Sequence, residues 1–174
     1  MTDLTSYIPR LRRYARALTG DRERADDLVQ DTLERALRKW VLWRAGSKID
    51  SWLFAIMHNI FVNQVRSAPA RQVSLSLDDL EFEPAGQASA EGAVHMRDLL
   101  SSLGRLPHDQ REILLLVGLE DMSYKEVAGV LGLPLGTVMS RLSRAREQLR
   151  GLLDGSVQTD AEAPALRLVR TSLP

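Results

Sequence analysis

The sequence predicts an all-α fold: two small helical domains, an N-terminal helical bundle and a C-terminal helix-turn-helix domain, joined by a flexible acidic linker. Three observations carry the prediction. Apolar residues recur at three- and four-residue steps through most of the 174-residue chain, the spacing of an amphipathic helix. No stretch alternates apolar and polar residues as a half-buried strand would. Between residues 69 and 93 the periodicity fails and the chain turns acidic. The division that follows is a first domain over 1–68, a linker over 69–93, a second domain over 94–153 and a tail over 154–174.

The first helix is marked by Leu4, Tyr7, Ile8, Leu11, Tyr14, Ala15 and Leu18, and it ends at Gly20. Asp21 is placed to cap the next, where Ala25, Leu28, Val29, Leu33, Ala36, Leu37 and Trp40 repeat the stripe. Residues 44–49 read as a loop. Asp50 or Ser51 then caps a third helix running to about Arg66. Pro69, Pro84, Gly86 and Gly92 punctuate the linker, and Asp78, Asp79, Glu81 and Glu83 make it acidic. A connection this long inside a small protein is functional or disordered. Helices resume over Val94–Leu103 and again after Pro107, a residue suited to a first helical position.

Residues 123–149 hold the most specific local pattern. Ser123 and Glu126 form a capping box. Val127, Ala128 and Leu131 face inward, and Gly132 supplies the left-handed residue that ends the helix. Leu133 plugs the turn and Pro134 stops the first helix from continuing. Val138, Leu142, Ala145 and Leu149 then stripe a second helix. Its opposite side shows Thr137, Ser140, Ser143, Arg144 and Glu147, flanked by Met139 and Arg141. Hydroxyls and arginines in this placement reach base edges and phosphates in a major groove. Arg141, Arg144, Arg146 and Arg150 supply a salt-sensitive phosphate attraction. A plain arginine-rich surface helix is the competing reading. The capping box, turn glycine and small Ala128 in one register favour DNA.

In the third helix Leu53, Ile56, Met57 and Ile60 point to the core, while Trp52, Ala55, Asn59, Asn63 and Arg66 share a narrow flank. An aromatic, amides and an arginine on one flank suit unpaired bases. Spacing alone favours the blander alternative, with Trp52 packed on a neighbouring helix and the asparagines solvated. His58 falls elsewhere on the surface and reads as merely exposed. The second helix has an outer side of Asp26, Asp27, Gln30, Asp31 and Glu34. The helix dipole accounts for Asp26 and Asp27; Asp31 and Glu34 lie too far along. An acidic patch here suggests a basic protein partner, and a solvated face is the plainer alternative.

Composition narrows the function classes. The chain contains no cysteine, which excludes disulfides, thiolate metal sites and Cys nucleophiles. His58, His95 and His108 lack the pair spacing of a zinc site. No apolar run approaches the roughly 18 residues of a membrane span, and no signal-peptide pattern opens the chain. The prediction is a cytoplasmic protein without cofactors or metal. Net charge is zero but unevenly placed: residues 1–68 are net +4, 69–94 net −4, 95–150 net +1. No paired acid–base constellation, phosphate loop or nucleophile setting appears, so an enzyme is the weakest reading.

Together the motifs resemble the extracytoplasmic-function (group IV) sigma factors of bacterial RNA polymerase. The residues that carry the resemblance are Asp26-Asp27-Leu28-Val29-Gln30-Asp31-Thr32-Leu33, Trp52-Leu53-Phe54-Ala55-Ile56 through Asn59 and Arg66, Leu106-Pro107 with Arg111-Glu112, Ser123-Tyr124-Lys125-Glu126, and Gly136-Thr137-Val138-Met139-Ser140-Arg141-Leu142-Ser143-Arg144-Ala145-Arg146. They span about residues 5–152 in the family's order. The resemblance implies that residues 1–68 are sigma domain two and 94–153 sigma domain four. It implies that Asp27, Leu28, Gln30, Asp31 and Glu34 dock on the clamp helices of the polymerase largest subunit. It implies that Trp52, Asn59, Asn63 and Arg66 capture the melted −10 element, and that Thr137, Met139, Ser140, Arg141, Ser143 and Arg144 read the −35 element as duplex.

Further partners implied are the polymerase flap and an anti-sigma factor covering the polymerase-binding faces, with no homo-oligomer. The acidic linker would thread towards the RNA exit path. Met139 is a departure, since relatives often carry a basic residue there. Leu166, Leu168 and Val169 could form a docking segment in a tail whose composition otherwise favours fraying. Two non-enzymatic competitors remain: a sigma mimic that binds an anti-sigma factor without touching DNA, and a one-component repressor using the same helix-turn-helix. The mimics so known carry a receiver domain, absent here, and the repressor would need a dimer interface or ligand pocket.

Overall fold

The computed structural model describes residues 4–43, 48–68, 75 and 90–155. Among them lie seven α-helices: α1 (Ile8–Thr19), α2 (Arg22–Arg38), α3 (Ile49–Ser67), α4 (Ala90–Arg105), α5 (His108–Gly118), α6 (Tyr124–Leu131) and α7 (Leu135–Leu153), with short 3₁₀ turns at Leu4–Tyr7 and Trp40–Leu42. The all-α expectation stands. The acidic residues Asp78, Asp79, Glu81 and Glu83, and the tail residues Leu166, Leu168 and Val169, lie outside the described residues.

Local chemistry sets the boundaries. Pro9 sits in the first turn of α1, and Gly20 ends it at φ 63°, a conformation a Cβ would disfavour. The Asp21 carboxylate then accepts from the Arg24 N–H at 2.8 Å and opens α2. Two boundaries depart from the sequence reading. Helix α3 starts one residue before Asp50, from Lys48 with no side-chain cap; Asp50 instead accepts from the Ser51 N–H and from Arg10. Helix α4 begins at Ala90 rather than Val94, so the helical part of the second domain reaches into the stretch read as linker.

The core of the first domain is built where α1, α2 and α3 meet. Leu11, Tyr14, Ala15, Leu18, Leu28, Leu53, Phe54 and Met57 are wholly or almost wholly removed from solvent. Each large side chain so buried stabilises the fold by ~1.5–3 kcal/mol. Tyr14 meets Phe54 edge to face with ring centroids 4.9 Å apart, the arrangement that aromatic quadrupoles favour. In the second domain α5 and α6 pack on α7, burying Ile113, Leu116, Val127, Val138, Leu142 and Ala145.

The two domains lie against each other. Helix α3 packs on α6 and α1 on α5. Beside apolar packing, several charged side chains cross the seam. Arg10 of α1 meets Glu120, just beyond α5, and the buried Arg111 of α5 donates to the Leu18 carbonyl at 2.9 Å. His58 Nδ1 lies 2.8 Å from Glu112, and Lys48 pairs with Glu126. Expecting His58 to be merely exposed was therefore wrong. Its ring is mostly covered because α5 lies over that side of α3, a burial that one helix's periodicity cannot register.

Candidate nucleic-acid and partner interfaces

The helix-turn-helix forms from the residues that predicted it. Ser123 Oγ accepts from the Glu126 N–H at 3.3 Å, and the Glu126 carboxylate accepts from the Ser123 N–H at 2.8 Å, completing the capping box. Gly132 takes φ 63°, and the Leu133 N–H returns to the Ala128 carbonyl at 3.0 Å. Pro134 then caps α7. With Val138, Leu142 and Ala145 buried, the opposite side of α7 presents Met139, Ser140, Arg141, Ser143 and Arg144 to solvent, with Thr137 half-buried. These six lie on the first half of one helix, the part that enters a major groove in such motifs. Ser140 Oγ donates back to the Thr137 carbonyl at 3.1 Å, so its hydroxyl must exchange that bond to donate to a base. Arg146 reaches the Tyr124 hydroxyl at 3.3 Å across an open depression between α6 and α7.

On α3, Asn59, Asn63 and Arg66 are exposed along one flank. Asn59 donates one amide hydrogen to the Ala55 carbonyl at 2.8 Å, which leaves its carbonyl oxygen and second N–H outward. Trp52 is half-buried in a cluster the sequence did not announce. Trp40 stacks on Trp43 at 5.4 Å between centroids, and Trp52 meets Trp40 edge-on at 6.2 Å. One edge of Trp52 packs, as the blander alternative expects, and the residue is half-buried. Beside the cluster, Val41 and Leu42 stand exposed.

On α2, Asp27, Gln30, Asp31 and Glu34 form an exposed stripe, with Gln30 donating to Glu34 at 3.1 Å. Leu28 does not belong to it. Its side chain is wholly buried, because one residue on from Asp27 turns the helix by about 100° into the core. Leu28 is thus a packing residue beneath the stripe. Asp26 turns towards α1, where it pairs with Arg12 at 3.0 Å.

Burial and pairing perturb several acidic and basic groups at the domain seam. Desolvation pushes the Glu120 carboxyl up, against the opposing pull of Arg10 and Arg13. Burial draws Arg111 down to about 10, still charged at neutral pH. Glu126, held by Lys48 and the Ser123 donors, is drawn down to about 2. Apart from the Ser123–Glu126 box, none of these pairings stood out in the sequence, because the partners lie on distant helices.

Comparison with known proteins agrees with both halves of this architecture. The family model of the sigma2 domain of PhyR matches residues 4–58, and that of sigma-70 region 4 matches residues 96–149. The ECF RNA polymerase sigma factor EcfG of Rhodopseudomonas palustris is 37% identical over 87% of this chain and 83% of its own length. The ECF sigma factor SigM of Bacillus subtilis is 31% identical over 88% and 94%. Among solved structures, the sigma factor RpoE of Bartonella quintana, in complex with the anti-sigma factor NepR, matches with a TM-score of 0.69 at 34% identity, covering 87% of this chain and 94% of that one. Among the described residues no helix is long and apolar enough to cross a membrane. Two helical domains in this order, matched along nearly their whole length, place the chain in the extracytoplasmic-function family of RNA polymerase sigma factors.

Proposed function

We propose that this chain recruits bacterial RNA polymerase core to a particular set of promoters as a non-catalytic specificity subunit in the cytoplasm. The observation that carries the reading is the outer side of α7, where Arg141, Ser143 and Arg144 stand free above a fully packed Val138–Leu142–Ala145 stripe. In this reading α7 enters the major groove of the −35 element. Arg141 and Arg144 supply charge and bidentate donors, and the Met139 side chain adds an apolar contact. The exposed Asn59, Asn63 and Arg66, with the accessible edge of Trp52, receive unstacked bases of the −10 element. The stripe Asp27–Gln30–Asp31–Glu34 docks on the clamp helices of the polymerase largest subunit, and the second domain meets the flap. Contacts to duplex and polymerase offset the few kcal/mol of unstacking per base step.

An anti-sigma factor is the proposed regulator. The relative RpoE was solved with one, and so was CnrH, 27% identical, with the cytosolic domain of CnrY. A second reading, a mimic that binds an anti-sigma factor without using DNA, draws on the PhyR sigma2 match over residues 4–58. Run-off transcription with core polymerase on a promoter-fragment library separates the two. Initiation at a defined subset, lost in Arg144→Ala and in Asn59→Ala, supports the sigma reading. Absence of both initiation and core binding overturns it and leaves the mimic.

A further inference from the structure

The large apolar side chains left in solvent are not scattered evenly. Among the described residues, Tyr124, Leu135 and Met139 gather beside the helix-turn-helix, the last two 48% and 52% exposed. Leu135 opens α7, and Met139 follows one turn later on the same side. Met139 and Tyr124 both line the open depression between α6 and α7. A single exposed apolar residue is ordinary. Here two stand in line, forming a ridge on the half of α7 that otherwise shows solvent a glycine, serines and arginines. Arg141 and Arg144 lie on the other flank of the helix, and Arg146 and Arg150 continue the ridge's own side towards its end. Cations therefore bracket the ridge. Between the two flanks lies Gly136. It takes no positive φ, and a Cβ there would meet nothing within 4 Å. No described residue calls for glycine at this position, and its bare backbone lets an outside group come close.

We propose that Leu135 and Met139 read the C5-methyl groups of thymines in the −35 duplex, so that thymine methyls help to decide which promoters the chain selects. The inference rests on the promoter reading above and names the chemical group that this part of α7 recognises. Base edges in the major groove present hydrogen-bond donors and acceptors and one apolar group, the methyl of thymine. Leucine has no hydrogen-bonding atom and methionine only a weak acceptor. Against a polar base edge or a phosphate they would merely strip water from polar atoms. Against a methyl, both apolar surfaces leave water together. Methionine suits the task because its unbranched thioether chain adjusts to the position of what it meets. The bracketing arginines favour a polyanion as the occupant over an apolar protein segment, which would cover their charges without pairing them.

The test uses holoenzyme assembled from the full chain and core polymerase, with a promoter fragment that it retains from the library. Each thymine of the −35 region, on either strand, is replaced singly by deoxyuridine, which pairs identically and lacks only the methyl. Competition binding should show at least one position where the replacement weakens binding about fourfold, the worth of one methyl withdrawn from water. Met139→Ala or Leu135→Ala should make thymine and deoxyuridine equivalent there. Met139→Leu, which stays apolar, should keep the difference where Met139→Ala removes it. An unchanged thermal unfolding curve for each variant separates this effect from misfolding. Equal binding to every replaced fragment overturns the inference, as does a methyl effect that persists in both alanine variants, or a −35 region without thymine on either strand. Alanine variants that lower affinity for core polymerase, with no methyl effect, also overturn it and assign the ridge to a protein contact. Fragment binding that is lost in Arg144→Ala but indifferent to methyls removes this inference alone and leaves the promoter reading standing. A holoenzyme that retains no fragment overturns both.

Discussion

The guanidinium of Arg111 joins Leu18 to Leu106: it donates to the first carbonyl at 2.9 Å and to the second at 3.0 Å, from a fully buried position in α5. The last turn of α1 is thus satisfied by a cation from the other half of the chain, where the helix dipole favours positive charge. Arg111→Ala leaves two interior carbonyls without a donor. We expect a loss of about 2–4 kcal/mol, measured as a lowered urea midpoint with an unchanged slope.

Two glycines of the helix-turn-helix should respond in opposite directions to alanine. Neither Gly129 nor Gly132 has an atom that an added Cβ would meet within 4 Å, but only Gly132 has a positive φ, of 63°. Gly132→Ala should destabilise by about 1–2 kcal/mol through left-handed strain. Gly129→Ala, inside α6, should stabilise by about 0.5–1 kcal/mol through lost unfolded-state freedom. Thermal unfolding of the two variants checks the sign of each.

Glu126 makes part of the stability pH-dependent. Lys48 and the Ser123 donors hold its carboxyl down at about 2 against a usual 4.5. A depressed carboxyl contributes stability that is present above its unfolded value and lost as pH falls towards its folded one. The wild type should therefore exceed Glu126→Gln in stability at neutral pH by a margin that shrinks between pH 4.5 and 2. The margin is modest because the pair faces solvent. Glu120 runs the other way: burial raises its pKa, so its contribution falls as pH rises past its usual value, and Glu120→Gln should abolish that pH dependence while leaving Arg10 and Arg13 without their carboxylate.

Arg144→Ala should weaken binding to a −35 duplex and reduce the dependence of log affinity on log salt by about one if the contact is to phosphate. If the contact is to a base edge, the slope stays and discrimination at one position falls by ~1–3 kcal/mol. Fluorescence anisotropy across a salt series distinguishes these outcomes.

Much of this architecture is legible because it is local. Asp21, Gly20, the Ser123–Glu126 box and Gly132 each act within four residues of their own position, and each appears where the sequence places it. The reading fails where a partner comes from afar. Glu120 and Arg10 are 110 positions apart, His58 and Glu112 are 54 apart, and no periodicity within one helix links them. Leu28 differs: the apolar stripe and the docking set implied by the resemblance both include it, and its full burial keeps it in the stripe, because an α-helix separates consecutive side chains by over a quarter turn. The tryptophan cluster falls between the cases, since Trp40 and Trp52 each have a place on a predicted helix but their edge-on meeting, with Trp43 stacked on Trp40, depends on the path of the turn.

The acidic stripe of α2 stays uncovered while α1 and α3 are occupied with the second domain. An encounter can therefore begin before any rearrangement. A basic surface can approach Asp27, Asp31 and Glu34 at a diffusion-guided rate while the seam between the domains is intact.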